Sequence, residues 1–228
     1  MNEVSLTSSD TESDYLVQIY LLLREGRKVV GARIAERLKV SDSAVTQALK
    51  RLKRKNLLNL EDYDGLRLTQ LGRQQAERIV RRHYLLERLL VDELGYDWVD
   101  VDQEADNLEH SLSPRLEEHL LKRLGNPTTC PHGNPFPGSP EEQRLLFARR
   151  LTEAQEGENT AILRITEEAE ENDSLMRLLF KFQVKPGTKI NIKKITDNSL
   201  LVLNLDTGAD IELVYKDAHS ICVEDVGE

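Results

Sequence analysis

The most informative chemical pattern in the sequence is the run Asp106-Asn-Leu-Glu-His110. On a helix, Asp106 and His110 are four residues apart and Asp106 and Glu109 are three apart, so their side chains share or border one face. Two carboxylates and an imidazole this close repel each other unless a proton or a cation lies between them. Oxygen ligands with one imidazole suit Mn²⁺ or Fe²⁺. From the residues alone, a metal site and a solvated acidic face both remain open.

Two weaker constellations could also bind a metal. His83 and Glu87 are four residues apart in a segment with a helical pattern, and Cys130 and His132 flank a proline in a loop-like segment. Cys130 and His132 make a poor nucleophile–base pair, because neighbours on one short segment seldom align. A structural zinc finger needs four ligands at set spacings, which the sequence lacks. We therefore expect binding rather than an enzyme, and we assign Cys222 to a hydrophobic core.

The charge of the chain is unevenly distributed. The 228 residues carry 31 Lys and Arg against 40 Asp and Glu, a net charge of −9. Between positions 24 and 82, however, 16 basic residues face 7 acidic ones, and the remainder has 15 basic and 33 acidic residues. A basic block in an acidic chain indicates a module that binds a polyanion. A solvated basic helix face is the alternative.

Composition also bears on the location of the protein. No window approaches 18 consecutive apolar residues, so we expect no membrane span. The first ten residues lack the basic and apolar regions of a secretory signal. Two cysteines cannot form a disulfide framework, so we expect a cytoplasmic protein.

The basic block has the pattern of a winged helix-turn-helix. A short helix over residues 32–38 and a turn precede a helix over 43–54, which Ser41 or Asp42 can cap. Two apolar runs then flank a hairpin turn at 62–65. The third helix fits the DNA major groove, where Gln47 and Arg51 could read base edges. The full predicted DNA-contacting set is Arg33, Ser41, Ser43, Thr46, Gln47, Lys50, Arg51, Arg54 and Arg67, and the basic members outside Arg51 are better placed for phosphates.

The rest of the chain predicts a helical region and a small β domain. Helices are expected over 70–94, 98–110 and 114–124. They carry more leucines than are needed to pack one layer of helices within a single chain, so we expect the surplus to form a homodimer interface. These leucines are Leu86, Leu89, Leu90, Leu94, Leu108, Leu112, Leu116, Leu120 and Leu121. Residues 125–140 hold five of the seven prolines and form a linker. Short alternating runs after residue 160, interrupted by a helix over 173–181, predict a β-barrel.

We therefore expect a mainly α protein with a small β domain. The expected domains are a winged helix-turn-helix over 1–72, a helical metal-binding and dimerisation domain over 73–140, and a β-barrel over 141–228.

The order of these parts resembles the diphtheria-toxin-repressor-like (DtxR/MntR) family of metal-dependent transcriptional repressors. The C-terminal domain resembles the SH3-like, FeoA-type module of the longer members, through residues 184–192 and 217–223. The segments that carry the family resemblance are Asp14-Tyr-Leu-x-x-Ile-Tyr20, residues 32–38, Val45-Thr-Gln47, Leu68-Thr-x-x-Gly72, His83-x-x-x-Glu87, Glu109-His-x-Leu-Ser113 and Gly133-Asn-Pro-Phe-Pro-Gly138.

The resemblance implies a regulatory metal site made by Asp14, Asp106, Glu109 and His110. Iron-type members have Met at the position of Asp14 and Cys at that of Asp106, so this oxygen-rich set implies Mn²⁺, with Fe²⁺ as the alternative. Short manganese regulators carry a carboxylate where this chain has Val17. We therefore do not expect their closely spaced two-metal cluster.

The resemblance also implies a second site, similar to that of three-domain manganese regulators with a Cys-x-His linker motif. It would use Glu87, Cys130 and His132 with a carboxylate from the C-terminal domain. Asp173 is the first choice for that carboxylate and Glu171 the second. His83 belongs to this site or stands beside it. Asp102 stands where iron-type members have a His ligand of their ancillary site. This difference argues against the iron-type version of the second site.

By this resemblance the protein is a manganese-responsive regulator that represses metal-uptake genes. A cation bound by all four primary ligands would order a homodimer for binding to a double-stranded DNA operator. We expect no membrane and no small organic substrate as partners. The alternatives are an iron-responsive member of the same family and a winged-helix regulator that answers to a non-metal ligand. A metal-dependent hydrolase and a metal carrier are more distant alternatives.

Overall fold

A computed structural model of the chain describes residues 8–61 and 65–226. Its contacts divide the chain into two compact units. The first unit runs to Arg82 and includes residues 109–112; the second comprises 83–108 and 113 onward. The three expected domain boundaries stay a prediction.

The first unit contains a helix-turn-helix followed by a hairpin. Its elements are α1 (Ser8–Arg24), α2 (Gly31–Arg37), α3 (Asp42–Arg54), β1 (Leu58–Glu61) and β2 (Gly65–Leu68). Ser41 caps α3, because its side chain accepts a hydrogen bond from the backbone of Ala44 at 3.3 Å. The two strands are antiparallel, with Leu58 opposite Leu68. The predicted winged helix-turn-helix is confirmed, but most of its hairpin turn, 62–64, lies outside the described residues.

Helix α4 (Gln70–Arg88) starts in the first unit and continues into the second. Thr69 caps it by accepting from the Gly72 N–H at 3.0 Å. Gly72 is required here, because a Cβ would lie 2.0 Å from the Leu57 carbonyl oxygen. The segment 70–94 was expected to be a single α-helix, but it ends in a π-helical turn, η1 (Leu89–Glu93). The backbone hydrogen bonds of this last turn span five residues in place of the four of an α-helix.

Two further helices follow in the chain. Helix α5 (Val101–Glu109) is shorter at both ends than the predicted 98–110. Helix α6 (Pro114–Arg123) begins at a proline, with the Ser113 hydroxyl accepting from Leu116 N at 3.2 Å. Proline is favoured at this first position because its missing N–H would have no partner there.

The remainder of the second unit is built on a five-stranded antiparallel sheet. The strand order is β6 (Asp210–Val214), β5 (Ser199–Asn204), β4 (Lys189–Ile195), β3 (Asn159–Ile165) and β7 (Ile221–Asp225). Helices α7 (Glu142–Leu146), α8 (Glu167–Glu170), α9 (Asp173–Lys181) and α10 (Tyr215–His219) accompany it. Buried apolar residues from the alternating strand positions and α9 form its core. The expected SH3-like, FeoA-type domain is confirmed.

The nine leucines predicted for a dimer interface divide into three groups, of which Leu89, Leu120 and Leu121 are half-buried. Leu86, Leu90 and Leu112 are buried within the single chain and therefore serve its own core. Leu94, Leu108 and Leu116 are 39–66% exposed and keep their apolar surface available for a partner. In the described part of the chain, none of the helices has the length and apolar character to cross a membrane.

Candidate metal centres and DNA-contacting face

The most enclosed candidate site consists of Glu87, Cys130, His132 and Glu170, which we call the thiol centre. Glu87, Cys130 and His132 offer ligand atoms within 4.8 Å of one another, and all three are buried. The His132 Nδ1 atom lies 3.4 Å from Glu87 Oε1, 3.9 Å from Cys130 Sγ and 3.2 Å from Glu170 Oε2. The thiol of Cys130 and the carboxylates of Glu87 and Glu170 therefore all lie around the Nδ1 atom of His132.

A tight turn brings Cys130 and His132 together. The Cys130 N–H donates to the Asn134 carbonyl at 2.8 Å, and the Gly133 N–H donates to the Cys130 carbonyl at 3.0 Å. Gly133 has φ +88°, and a Cβ would lie 2.5 Å from the Leu163 carbonyl oxygen, so only glycine fits. The turn thus sits directly against β3.

The C-terminal-domain carboxylate that lies against His132 is that of Glu170, not that of the expected Asp173 or Glu171, and the ligand assignment itself stays a prediction. Asp173 is exposed and pairs with Arg177 at 2.9 Å. Glu171 follows the last residue of α8 and is exposed. Because α8 has only four residues, it has no apolar period that could show which of its glutamates points inward.

Burial and mutual charge dominate the electrostatics of the thiol centre. Burial raises the pKa of Cys130 to about 12, with the nearby Glu87 adding to the effect. Burial opposes ionisation of His132, yet Glu170 and Glu87 raise its pKa well above the usual value. Burial likewise pushes the pKa of Glu87 upward, but the charges of His132 and His83 lower it below its usual value. Burial raises the pKa of Glu170 well above normal.

The residues of the thiol centre fit a cation. Both carboxylate oxygens of the fully buried Glu87 lack a hydrogen-bond partner of good geometry among the described residues, and such orphaned acceptors are costly. The His132 Nε2 atom lies 2.7 Å from the Trp98 carbonyl, which can only accept. Nε2 therefore carries the proton, and in the neutral ring Nδ1 presents its lone pair to the other ligands. An imidazole held this way is typical of a metal ligand.

A second candidate site, which we call the carboxylate centre, consists of Asp14, Glu109 and His110. The His110 Nε2 atom lies 3.4 Å from Asp14 Oδ1 and 3.4 Å from Glu109 Oε1. Asp14 comes from α1, Glu109 ends α5, and His110 follows it. The side chains are 8–32% exposed, so this centre is open to solvent. Its donors are oxygen and nitrogen only.

Asp106 is not among the three residues of the carboxylate centre. Its carboxylate lies 3.2 Å from His83 Nδ1, and Asp102 lies 3.3 Å from His83 Nε2. The expectation of one shared helix face assumed that His110 is helical, but α5 ends at Glu109. Asp102 and Asp106 are one turn apart within α5, and they are the pair that shares a face. His83 is also 3.6 Å from Glu87 Oε1, beside the thiol centre.

The predicted DNA-contacting residues lie around α3. Gln47, Lys50 and Arg54 are exposed and, with Arg51 and Lys53, line one concave surface. Arg51 is 37% exposed, and its Nε is 3.2 Å from Glu12 of α1.

The other predicted DNA contacts make local bonds or stand at the surface. Ser41 caps α3, and its hydroxyl is 2.9 Å from that of Ser43. Thr46 donates to the Asp42 carbonyl at 2.9 Å, and Arg33 donates to the Lys28 carbonyl at 3.2 Å. Arg67 is exposed on β2.

Comparison with known proteins places these sites in a family context. Residues 7–66 match the N-terminal DNA-binding domain of iron-dependent repressors, residues 69–138 match their metal-binding and dimerisation domain, and residues 149–225 match the FeoA domain. The iron-dependent repressor IdeR of Mycobacterium leprae is 35% identical over 229 residues, covering 95% of this chain and 98% of that protein. The chain belongs to the iron-dependent repressor family. The diphtheria toxin repressor of Corynebacterium diphtheriae is 32% identical over 224 residues, with 95% and 98% coverage.

Solved structures of family members agree with this assignment. A manganese-dependent transcriptional repressor in complex with manganese matches with a TM-score of 0.82 and 30% identity, covering 94% of this chain and all of that one. The IdeR structure from T. acidophilum matches with a TM-score of 0.76 and 27% identity, covering 98% and 100%. The family resemblance inferred from the sequence is confirmed, and this family member is a metal-dependent DNA-binding transcriptional regulator.

Proposed function

We propose that this family member is a manganese-responsive repressor of metal-uptake genes that binds its operator as a homodimer. The observation that carries the choice of metal is the donor set of the carboxylate centre: two carboxylates and one imidazole, without sulfur. Hard oxygen donors favour Mn²⁺ over softer cations. Asp14, Glu109 and His110 would hold the ion. Asp106 stays a predicted fourth ligand from the family resemblance, although its carboxylate contacts His83.

Helix α1 provides a physical link between this centre and the DNA-contacting face. Asp14 of α1 approaches His110, and Glu12, two residues earlier, pairs with Arg51 and Lys55 at the end of α3. A bound cation would neutralise the facing carboxylates. With that repulsion relieved, Asp14 would hold α1 against Glu109 and His110, and the position of Glu12 relative to Arg51 would depend on that contact. By linkage, operator DNA must tighten metal binding by the same factor.

The chemistry of α3 supports major-groove recognition. The exposed amide of Gln47 can make paired hydrogen bonds with adenine, whereas Lys50 and Arg54 carry charge suited to phosphates. Each phosphate contact should appear as salt dependence of binding. A homodimer would set two copies of α3 about 34 Å apart, one DNA turn. The exposed Leu94, Leu108 and Leu116 are the apolar surface available for that contact.

The thiol centre is proposed as a second metal site, with Glu87, Cys130, His132 and Glu170 as ligands. Its four mixed donors, one of them sulfur, suit a tetrahedral ion such as Zn²⁺ or Fe²⁺ better than they suit Mn²⁺. The sulfur ligand, together with relatives named as iron-dependent repressors, is what favours an iron-responsive function as the second candidate.

The test is to measure operator binding by protein that a chelator has stripped of metal. One metal at a time is then added back, at a stated salt concentration. A duplex selected from a random pool by the metal-loaded protein serves as operator. We expect Mn²⁺ to increase affinity tenfold or more, and Asp14→Asn to abolish the increase while Asp197→Asn, at an exposed turn, retains it. A response to Fe²⁺ but not Mn²⁺ would show that the choice of metal is wrong. Equal affinity in excess EDTA would contradict metal regulation itself.

A further inference from the structure

Glu170 reaches the thiol centre with only one of its oxygens. Its Oε2 lies 3.2 Å from His132 Nδ1, on the side of the other ligands. Its Oε1 accepts a hydrogen bond from the Asn134 side-chain amide. A carboxylate with one oxygen tied in this way has lost its freedom to rotate, and Oε2 is the oxygen left to bind a cation.

The orientation of the Asn134 amide is dictated by Arg164. The Arg164 Nε–H donates to Asn134 Oδ1 at 2.5 Å, and a guanidinium can only donate. The amide nitrogen must therefore point the other way, where one N–H bonds the Ile165 carbonyl at 2.9 Å and the other bonds Glu170. Every polar atom of this buried side chain is used.

Arg164 is an unusual residue for its position in the sheet. Arg164 lies at an irregularity in the pairing of β3 with β7, between Ile162 and Arg164, and it is fully buried although it is not part of the apolar core that holds Ile162 and Ile165. Its Nη1 donates to the Leu145 carbonyl at 3.2 Å. Burying a guanidinium is costly unless it is well paired, so the hydrogen bonds of a buried arginine are expected to matter for the fold or for a site. The bond to Asn134 fixes the orientation of that amide.

Asn134 also belongs to the turn that carries two other ligands. Its backbone carbonyl accepts from the Cys130 N–H at 2.8 Å, and the His132 carbonyl accepts from the Ile165 N–H at 2.8 Å. One residue thus links the loop ligands, the end of β3 and the ligand from α8. We propose that Asn134, oriented by Arg164, is the positioning residue that aims Glu170 into the thiol centre and so sets the cation affinity of that centre.

This inference rests on the proposed thiol centre, and it can be tested with Co²⁺ as the probe. Cobalt bound to Cys130 gives a thiolate charge-transfer absorption, which the sulfur-free carboxylate centre cannot produce. Titrating the native full chain with Co²⁺ and following this absorption measures the Co²⁺ affinity of the thiol centre. The visible d–d bands report the number and kind of ligands around the ion. Loss of an outer partner of a metal ligand typically costs 10- to 100-fold in affinity.

We expect Asn134→Ala to weaken Co²⁺ binding about 10- to 100-fold and to shift the d–d bands, because water replaces Glu170 as a ligand. Asn134→Asp should weaken it further, since a second carboxylate then faces Glu170. In a double-mutant cycle, Asn134→Ala combined with Glu170→Gln should lose no more affinity than Glu170→Gln alone. The matched control is Asn204→Ala. That buried amide bonds the Phe182 carbonyl at 2.9 Å, so its loss should affect thermal unfolding in EDTA without changing the Co²⁺ affinity.

The outcomes separate the two proposals. If the native protein shows no thiolate band with Co²⁺, the thiol centre itself is wrong. If the native band is present and Asn134→Ala binds Co²⁺ with unchanged affinity, the centre stands and the positioning role is overturned. Additive losses in the cycle would also overturn it, because they would show that Asn134 acts without Glu170. If Asn134→Ala is too unstable to titrate, Asn134→Asp keeps the side-chain shape and its contact with Arg164, and its affinity decides.

Discussion

Cation binding at the thiol centre should release protons and strengthen steeply as the pH rises. The pKa of Cys130 is raised to about 12, by burial first and by Glu87 second, so the metal-free centre holds a neutral thiol at pH 7. The pKa of His132 is raised as well, because Glu170 and Glu87 outweigh its burial. A cation binds the thiolate and the neutral imidazole. Binding must therefore displace at least these two protons, and the raised pKa of Glu170 can only add to the number released.

The size of the effect follows from the thiol. Each pKa unit is equivalent to about 1.4 kcal/mol, so removing a proton from a thiol with a pKa of about 12 at pH 7 opposes binding by about 7 kcal/mol. Because the pKa of Cys130 is raised in the metal-free protein, the free energy needed to remove the thiol proton is largest at low pH. It falls by about 1.4 kcal/mol for each pH unit as the pH rises toward that pKa. The thiol alone gives a tenfold gain in affinity per pH unit, and the thiol with the imidazolium gives about a hundredfold gain.

Two measurements together check this prediction. Titration with Co²⁺ between pH 6 and 8.5, followed in the thiolate band, gives the slope of affinity against pH. Calorimetry in two buffers with different ionisation enthalpies counts the protons released. Cys130→Ser should remove the band, whereas Asp14→Asn should leave band and slope unchanged because Asp14 belongs to the carboxylate centre.

A flat pH profile would refute the reasoning. Affinity that stays constant over this range, with no proton released, would mean that the metal-free centre already holds a thiolate and a neutral imidazole. The burial and charge arguments for Cys130 and His132 would then both be wrong.

Three further predictions concern other parts of the chain. In fluorescence anisotropy with the selected operator, Asp14→Asn should abolish the response to Mn²⁺ while leaving the Co²⁺–thiolate band of the same protein intact; loss of both would contradict two independent centres. Glu12→Gln should raise metal-free affinity for a duplex up to about fivefold, because Glu12 would compete with DNA for Arg51, and a partly exposed ion pair of this kind is worth about 0–1 kcal/mol; reduced affinity would show that Glu12 and DNA do not compete for Arg51. Gly133→Ala should lower the free energy of unfolding by about 1–3 kcal/mol more than Gly138→Ala does, as measured by urea unfolding in EDTA. Both glycines have positive φ, but only at position 133 would a Cβ meet a backbone carbonyl. Equal losses for the two variants would show that this close approach does not affect stability.

The DNA-binding half was predictable because its signals are local. Ser41 precedes an apolar stripe of period 3.6, and Gly and Asp residues mark the hairpin, so caps and turns could be read directly. The ion pair between Glu12 and Arg51 was not predictable. It joins two helices through tertiary packing, and no local pattern connects Glu12 with Arg51.

The candidate metal sites were only partly predictable from the sequence. Cys130 and His132 lie in one turn, so their spacing already brought them together. Glu170 had no pattern to distinguish it from its neighbours on a four-residue helix. The grouping of Asp106 with His83 depended on where α5 ends, and element ends are the least certain part of a sequence reading.

The contrast between the two centres indicates a division of labour. A regulatory ion must exchange with its free pool, and the carboxylate centre, with side chains 8–32% exposed, allows exchange without opening the fold. Its proposed ligand Asp14 shares α1 with Glu12, which pairs with Arg51, so a change at Asp14 would be felt at α3. The side chains of Glu87, His132 and Glu170 in the thiol centre are at most 4% exposed, and its ligands come from α4, the 128–136 turn and α8. An ion there would join three separate segments of the second unit and could leave only by local opening. If both proposed centres bind metal, the partly exposed, hard-donor centre is the one suited to sensing, and the buried thiol centre is suited to holding the FeoA-type domain on its ligand loop.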